Sequence, residues 1–194
     1  MLWRVFLFIF ILAASTFAFA ETVQRIAGLA ITYESRFESL DVDAKASMAR
    51  LPEQVRNSIV AFERFGAKSA GDVPEFRVER TIYIDGIELS LDGAAAGAAQ
   101  RVAGLPGMSN VSQSIIDRTV SGKPAKMVSV EGERSGGIIG IEALVIYDAK
   151  ARAMWMVTSV LAKQPGAGLR QDGNFDSQRK IARNAIDTVR LHAE

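Results

Sequence analysis

Gly136–Ala162, GGIIGIEALVIYDAKARAMWMVTSVLA, restricts the fold of this chain more than any other stretch. Two apolar runs, Ile138–Tyr147 and Ala153–Leu161, flank a short polar break. Both are rich in β-branched and aromatic residues, and each has the length of a strand rather than of a helix. They read as the central hairpin of an antiparallel sheet. A loop of two residues (Ala149 and Lys150) or of four (Asp148 to Ala151) predicts the same register. Tyr147 then lies opposite Arg152, Val145 opposite Met154 and Ala143 opposite Met156, while the other face sets Leu144 against Trp155 and Glu142 against Val157. Both faces are mostly apolar, whereas an antiparallel sheet with one wet face alternates cleanly. Layers are therefore expected on both sides.

The first twenty residues, MLWRVFLFIFILAASTFAFA, have the form of a secretory signal: Arg4, an apolar core, then Ala18-Phe19-Ala20. Cleavage is expected between Ala20 and Glu21, leaving residues 21–194 as one α+β domain in the periplasm or outside the cell. An uncleaved leader would be the chain's only tie to a membrane, and its apolar segment is slightly short for the ~20 residues that a span prefers. Loss of the leader removes five of the ten Phe residues and Arg4, taking the formal charge from +1 to zero. A neutral, aromatic-poor chain lacks the basic surface and stacking platforms that nucleic acid requires. The absence of cysteine removes thiol catalysis, disulfides and thiolate metal sites.

Along the chain, Leu29–Tyr33 reads as a first strand. Residues 40–66 carry Leu40, Ala44, Met48 and Leu51, then Val55, Ile59, Phe62 and Phe65, at near-helical spacing, which predicts two helices with Pro52 opening the second. A hairpin is expected over 78–91, turning at Asp85-Gly86. Asp92 is placed to cap a helix over 93–103, whose Gly93 and Gly97 would let it sit close on the sheet. A second hairpin spans 111–130 and the central one 138–161, giving about 6–7 strands. An amphipathic helix closes the chain over 175–191, with Ala182, Ala185, Ile186 and Val189 inward and Lys180, Arg183 and Arg190 outward. Segregated helices and antiparallel strands define an α+β sandwich.

The run TVSGKPAKMVSVEGE (119–133), the hairpin after it and the closing NAIDTVRL (184–191) resemble the PsbP/Mog1-like fold, over residues 78–191 by element order. That group includes photosystem-associated proteins, a partner of the GTPase Ran and many secreted bacterial proteins. The resemblance implies the architecture and a binding role, and carries over no catalytic residue.

Few residues offer chemistry. The one histidine, His192, stands two positions from the C-terminus, a poor place for a positioned base. Gly122-Lys123 is not a phosphate loop, because Asp117 replaces its first glycine and Pro124 its Ser/Thr. Asp172, Asn174 and Asp176 match the first calcium-loop spacings, but Ser177 and Arg183 occupy the positions that need Gly and Glu, so a helix N-terminus rich in capping groups is the simpler reading. Met154 and Met156 share a strand face and could serve a copper carrier, which predicts them at the surface rather than filling core gaps. Glu142 is the sharpest feature, since an unpaired carboxylate within an apolar strand is costly. It is either an edge position reaching water or the polar floor of a ligand pocket, with Arg118, Lys126 or Arg101 as partners. Glu142, Arg118 and Trp155 are thus the expected ligand-binding residues, with no catalytic, cofactor or metal residue assigned. The function expected is a non-catalytic binding or accessory module for a protein partner or small ligand in the cell envelope. The alternatives are a hydrolase using carboxylates without Cys or His, marked by a cleft gathering Glu142 with Asp or Arg, and the copper carrier.

Overall fold

The computed structural model of the protein describes residues 21–26, 28–34, 37–40, 43–69, 74–163 and 169–192. The expected leader, 1–20, lies outside these residues. The described chain runs β1 (Glu21–Ile26), β2 (Leu29–Glu34), β3 (Phe37–Leu40), α1 (Ala44–Ala49), α2 (Glu53–Asn57), β4 (Ile59–Ser69) and β5 (Glu75–Tyr83). It continues through α3 (Leu91–Ala103), β6 (Ser109–Val120), β7 (Lys123–Arg134), β8 (Gly137–Asp148), β9 (Ala153–Lys163), α4 (Leu169–Asp187) and β10 (Arg190–Leu191).

Seven strands form one antiparallel sheet in the order β3-β4-β5-β9-β8-β7-β6, and β1, β2 and β10 form a second. The central hairpin β8–β9 is covered on both faces, as its two-sided apolar pattern requires. Helix α4 and β2 pack on one face, burying Leu144, Ile146, Trp155, Val157 and Leu161 with Ala182, Ala185 and Ile186. Helix α3 packs on the other, over Val128, Val130, Ile141, Ala143 and Val145. Each fully buried aliphatic or aromatic side chain contributes about 1.5–3 kcal/mol.

Local chemistry explains how the helices are held. The Ser90 hydroxyl caps α3 by accepting from the Gly93 N–H at 2.9 Å, the role expected of Asp92, which instead lies in the first turn and pairs with Lys126 at 2.7 Å. Gln178 of α4 fixes that helix to the sheet: its amide accepts from the Ala162 N–H at 3.1 Å and donates to the Ala162 carbonyl at 3.2 Å. Strand β5 pairs with β9 only as far as Val160, so these backbone groups would otherwise lack a partner. Gly140 lets α4 approach: a Cβ there would stand 2.8 Å from the Val130 carbonyl oxygen and 3.1 Å from the Phe175 ring. The large neighbour it accommodates is Phe175.

Several expectations are corrected. The second helix of 40–66 stops at Asn57, and Ile59–Ser69 is a strand between β3 and β5. Its large apolar residues follow helical spacing, but pairing with β5 makes it a strand, with Phe62 on the α3 side and Phe65 on the α4 side. The hairpin expected over 78–91 keeps its first strand and its turn, with Gly86 at φ 82°, but 87–90 is not a strand. Both edges of β5 are already taken by β4 and β9, so no edge remains for a return strand.

The β8–β9 register is offset by two residues from expectation: Tyr147 lies opposite Met154, Val145 opposite Met156 and Glu142 opposite Ser159. The loop is Ala149–Arg152, with Asp148 Oδ1 accepting from the Lys150 and Ala151 N–H groups and Arg152 at φ 47°. An offset of two leaves every side chain on its expected face. Helix α4 begins at Leu169, six residues before the expected start, so 172–176 lies within the helix and not at its N-terminus. It ends at Asp187, after which Arg190–Leu191 pairs with β2. On α3 the sheet-facing residues are Ala95, Ala98, Ala99 and Val102, whereas Gly93 and Gly97 are exposed.

Candidate binding site beside the open edge

A polar rung crosses the α4 face of the sheet. Ser114 of β6 lies opposite Ser129 of β7, Ser129 opposite Glu142 of β8, and Glu142 opposite Ser159 of β9. Glu142 has no exposed surface. It is not the edge position reaching water that its sequence context allowed, because β8 is an inner strand covered on both sides.

Its carboxylate is neutralised from above. Arg179 and Arg183 stand one turn apart on α4, so both side chains reach the same patch of sheet. Arg183 donates from Nε to Oε2 and from Nη2 to Oε1, each at 3.1 Å. The Ser129 hydroxyl donates to Oε1 at 2.7 Å and accepts from Arg183 Nη2 at 3.2 Å. Arg179 Nε lies 3.0 Å from Oε1 as an ion pair, and its Nη2 pairs with Glu131. The Arg179 guanidinium also stacks 5.0 Å above the Phe175 ring. Burial alone would lower the Arg179 pKa, but Glu131, with help from Glu142 and Asp176, more than offsets it and holds the pKa above the ordinary arginine value.

Over this network lies an open basin of about 320 Å³ between β6, β7 and α4. Its walls include Ser112, Ser114, Ile116 and Arg118 from β6, and Asp187 from α4. The basin adjoins β6, the outermost strand, which is exposed from Ser109 to Thr119. Val111, Ile115 and Ile116 are 40%, 42% and 54% exposed.

Of the three expected binding residues, Arg118 lines the basin and Glu142 lies beneath it. Trp155 does not join them: it is buried in the α4-side core, with the Arg80 guanidinium 5.4 Å from its ring. Among the described residues Arg118 makes no ion pair. Lys126 points to the other face, where it holds Asp92 and Asp117, and Arg101 lines a separate cleft. Sequence reasoning missed Arg179 and placed Arg183 outward. The available signal was their spacing of four on a helix otherwise apolar toward the sheet.

Glu142 is sealed from solvent and engaged by two guanidinium groups and a hydroxyl, so it cannot touch a substrate. Met154 and Met156 are half-buried against the α3-side core. Among the described residues no cluster of three or more His, Asp or Glu side chains could hold a metal ion, and no helix is long and apolar enough to cross a membrane.

No family profile matches the sequence, and no curated protein matches it. Solved structures do. The Ran-binding protein Mog1p of Saccharomyces cerevisiae is similar at a TM-score of 0.50 with 9% identity, over 90% of this chain and 96% of that one. LpqN of Mycobacterium tuberculosis, involved in cell envelope biogenesis, is similar at 0.52 with 11% identity, over 90% and 91%. A Pseudomonas aeruginosa protein of unknown function, PA94, a putative regulator, aligns at 0.47 with 14% identity over 90% and 99%. At these identities the likeness is one of fold: the chain has the Mog1/PsbP-like architecture that residues 78–191 resembled.

Proposed function

We propose that this chain is an exported, non-catalytic binding module of the cell envelope that holds an extended segment of a protein partner along β6. The carrying observation is β6 itself, a strand of twelve residues that ends the sheet and is exposed for all but its last residue. Such an edge offers a row of free backbone donors and acceptors, and a long edge left uncovered is a template for an added strand. Ile116 and Arg118 project from it over the basin. Arg118, with no carboxylate of its own among the described residues, suits an acidic side chain on the incoming segment. The leader supports export, and the fold shared with a Ran-binding protein and with a protein of envelope biogenesis supports a binding role.

The test is recovery of partners by the tagged protein from the envelope fraction, comparing the parent with Ile115→Lys and Ile116→Lys. Both sites are exposed, so melting temperature is expected to stay within a degree or two. One stoichiometric partner recovered by the parent and lost from both variants supports the reading. A partner retained at equal yield by both variants removes β6 from the interface.

A further inference from the structure

A second cleft of about 500 Å³ opens on the opposite face of the sheet, between α3 and the α1–α2 segment. Its volume lies within the range of about 300–1,000 Å³ typical of small-ligand sites. Val145, Met154 and Met156 of β8 and β9 and Phe62 of β4 give the floor apolar surface, with Thr81 set between Met154 and Phe62 and the Glu79–Arg64 pair beside Met156. One wall is the glycine side of α3. A Cβ added at Gly97 would meet nothing within 4 Å, so the missing side chain leaves open space and serves no close packing.

The charges in this cleft do not balance. Arg50, Arg64 and Arg101 line it, against the single carboxylate of Glu79. Glu79 is committed to Arg64, at 2.8 Å, and the Arg64 Nη1 also donates to the Ser47 hydroxyl at 2.5 Å. Arg50 and Arg101 are exposed and make no ion pair among the described residues. The apolar surface of Phe62, Met154 and Met156, with two uncompensated guanidinium groups at the rim, complements a molecule with one apolar tail and one anionic head.

We propose that this cleft binds a single-chain anionic amphiphile, its tail along Met154, Met156 and Phe62 and its head between Arg50 and Arg101. The site is independent of β6, so either reading can fail alone.

Dodecanoate, titrated below its micelle concentration into the purified protein, is the probe, with dodecanol as the uncharged comparator. Dodecanoate is expected to bind saturably and at least about tenfold more tightly than dodecanol, a ratio worth 1.4 kcal/mol. Arg101→Gln is expected to weaken dodecanoate several-fold and leave dodecanol unchanged. Gly97→Leu fills the cleft from an exposed helix position where Leu is the better helix former, so it is expected to abolish binding of both probes while melting no lower than the parent. The proposal is overturned by absence of saturable dodecanoate binding, by equal affinity for dodecanol, or by undiminished binding to Gly97→Leu.

Discussion

Arg183 holds Glu142 with both arms of its guanidinium, Nε to Oε2 and Nη2 to Oε1, each at 3.1 Å and across 41 residues of chain. The contact joins the closing helix to the middle of the sheet. A charge with no solvent exposure is tolerated there because two cations and a hydroxyl replace its water.

Removing the carboxylate should therefore be costly. Glu142→Ala leaves Arg179 beneath α4 without one of its counter-ions and is expected to lose about 3–5 kcal/mol in urea unfolding. Arg183→Met leaves the fully buried Glu142 with Arg179 as its remaining guanidinium and should cost about 1–3 kcal/mol. The double variant should fall short of the sum by about 0.5–3 kcal/mol, as expected of residues in contact. Strict additivity would show that the pair is not coupled.

Gly140→Ala is expected to lose about 1–3 kcal/mol, since the new methyl group meets the Val130 carbonyl oxygen at 2.8 Å and backbone there cannot move aside. Trimming the facing ring in Gly140→Ala/Phe175→Ala should give no rescue. Recovery of the parental midpoint in that double variant would mean that the ring, and not the strand backbone, sets the limit.

Two other glycines should respond in opposite directions to alanine. Gly122 sits at φ 76° in the β6–β7 turn beside Ser121 at φ 50°, so Gly122→Ala is expected to cost about 1–2 kcal/mol. Gly97 is an exposed helical position, so Gly97→Ala should gain up to about 1 kcal/mol. Thermal melting of the two variants side by side measures both signs.

Asp148 makes stability depend on acid. The Lys123 ammonium, 2.8 Å away, holds its pKa below the ordinary carboxylate value, against an opposing effect of burial, and the Ala151 and Lys150 N–H groups add to the lowering. A pKa depressed in the folded state gives stability that is present above the unfolded value of about 3.9 and is lost as pH falls through the folded one. Asp148→Asn is therefore expected to be less stable than the parent at neutral pH, with the gap closing as pH falls from the unfolded value of about 3.9 through the lower folded one. A gap that stays constant down that range would exclude the linkage.

The two halves of the molecule differ in how far they could be read from residues alone. The central hairpin was legible because its composition and two-sided apolarity leave few alternatives, and the two-residue error in register was harmless because side-chain direction repeats every two residues. The stripe Ala182, Ala185, Ile186 and Val189 was legible for the same reason at helical period. Residues 59–66 were not, since Ile59, Phe62 and Phe65 recur at helical spacing although they form a strand. That choice depends on a free edge of β5, which no local pattern encodes. The site was half legible: Glu142 stood out as a carboxylate among apolar neighbours, but its partners lie 37 and 41 residues further along the chain.

Residue order alone was enough to establish strands, a closing helix, two covered faces and one carboxylate that had to be satisfied, because each follows from periodicity or from the cost of burying polar groups. Which cations satisfy it, which strand stays at the rim, and where the two hollows open depended on how distant segments pack. Those outcomes turn on which edges and faces are still vacant when each element docks, a property of the assembled sheet and not of any stretch within it.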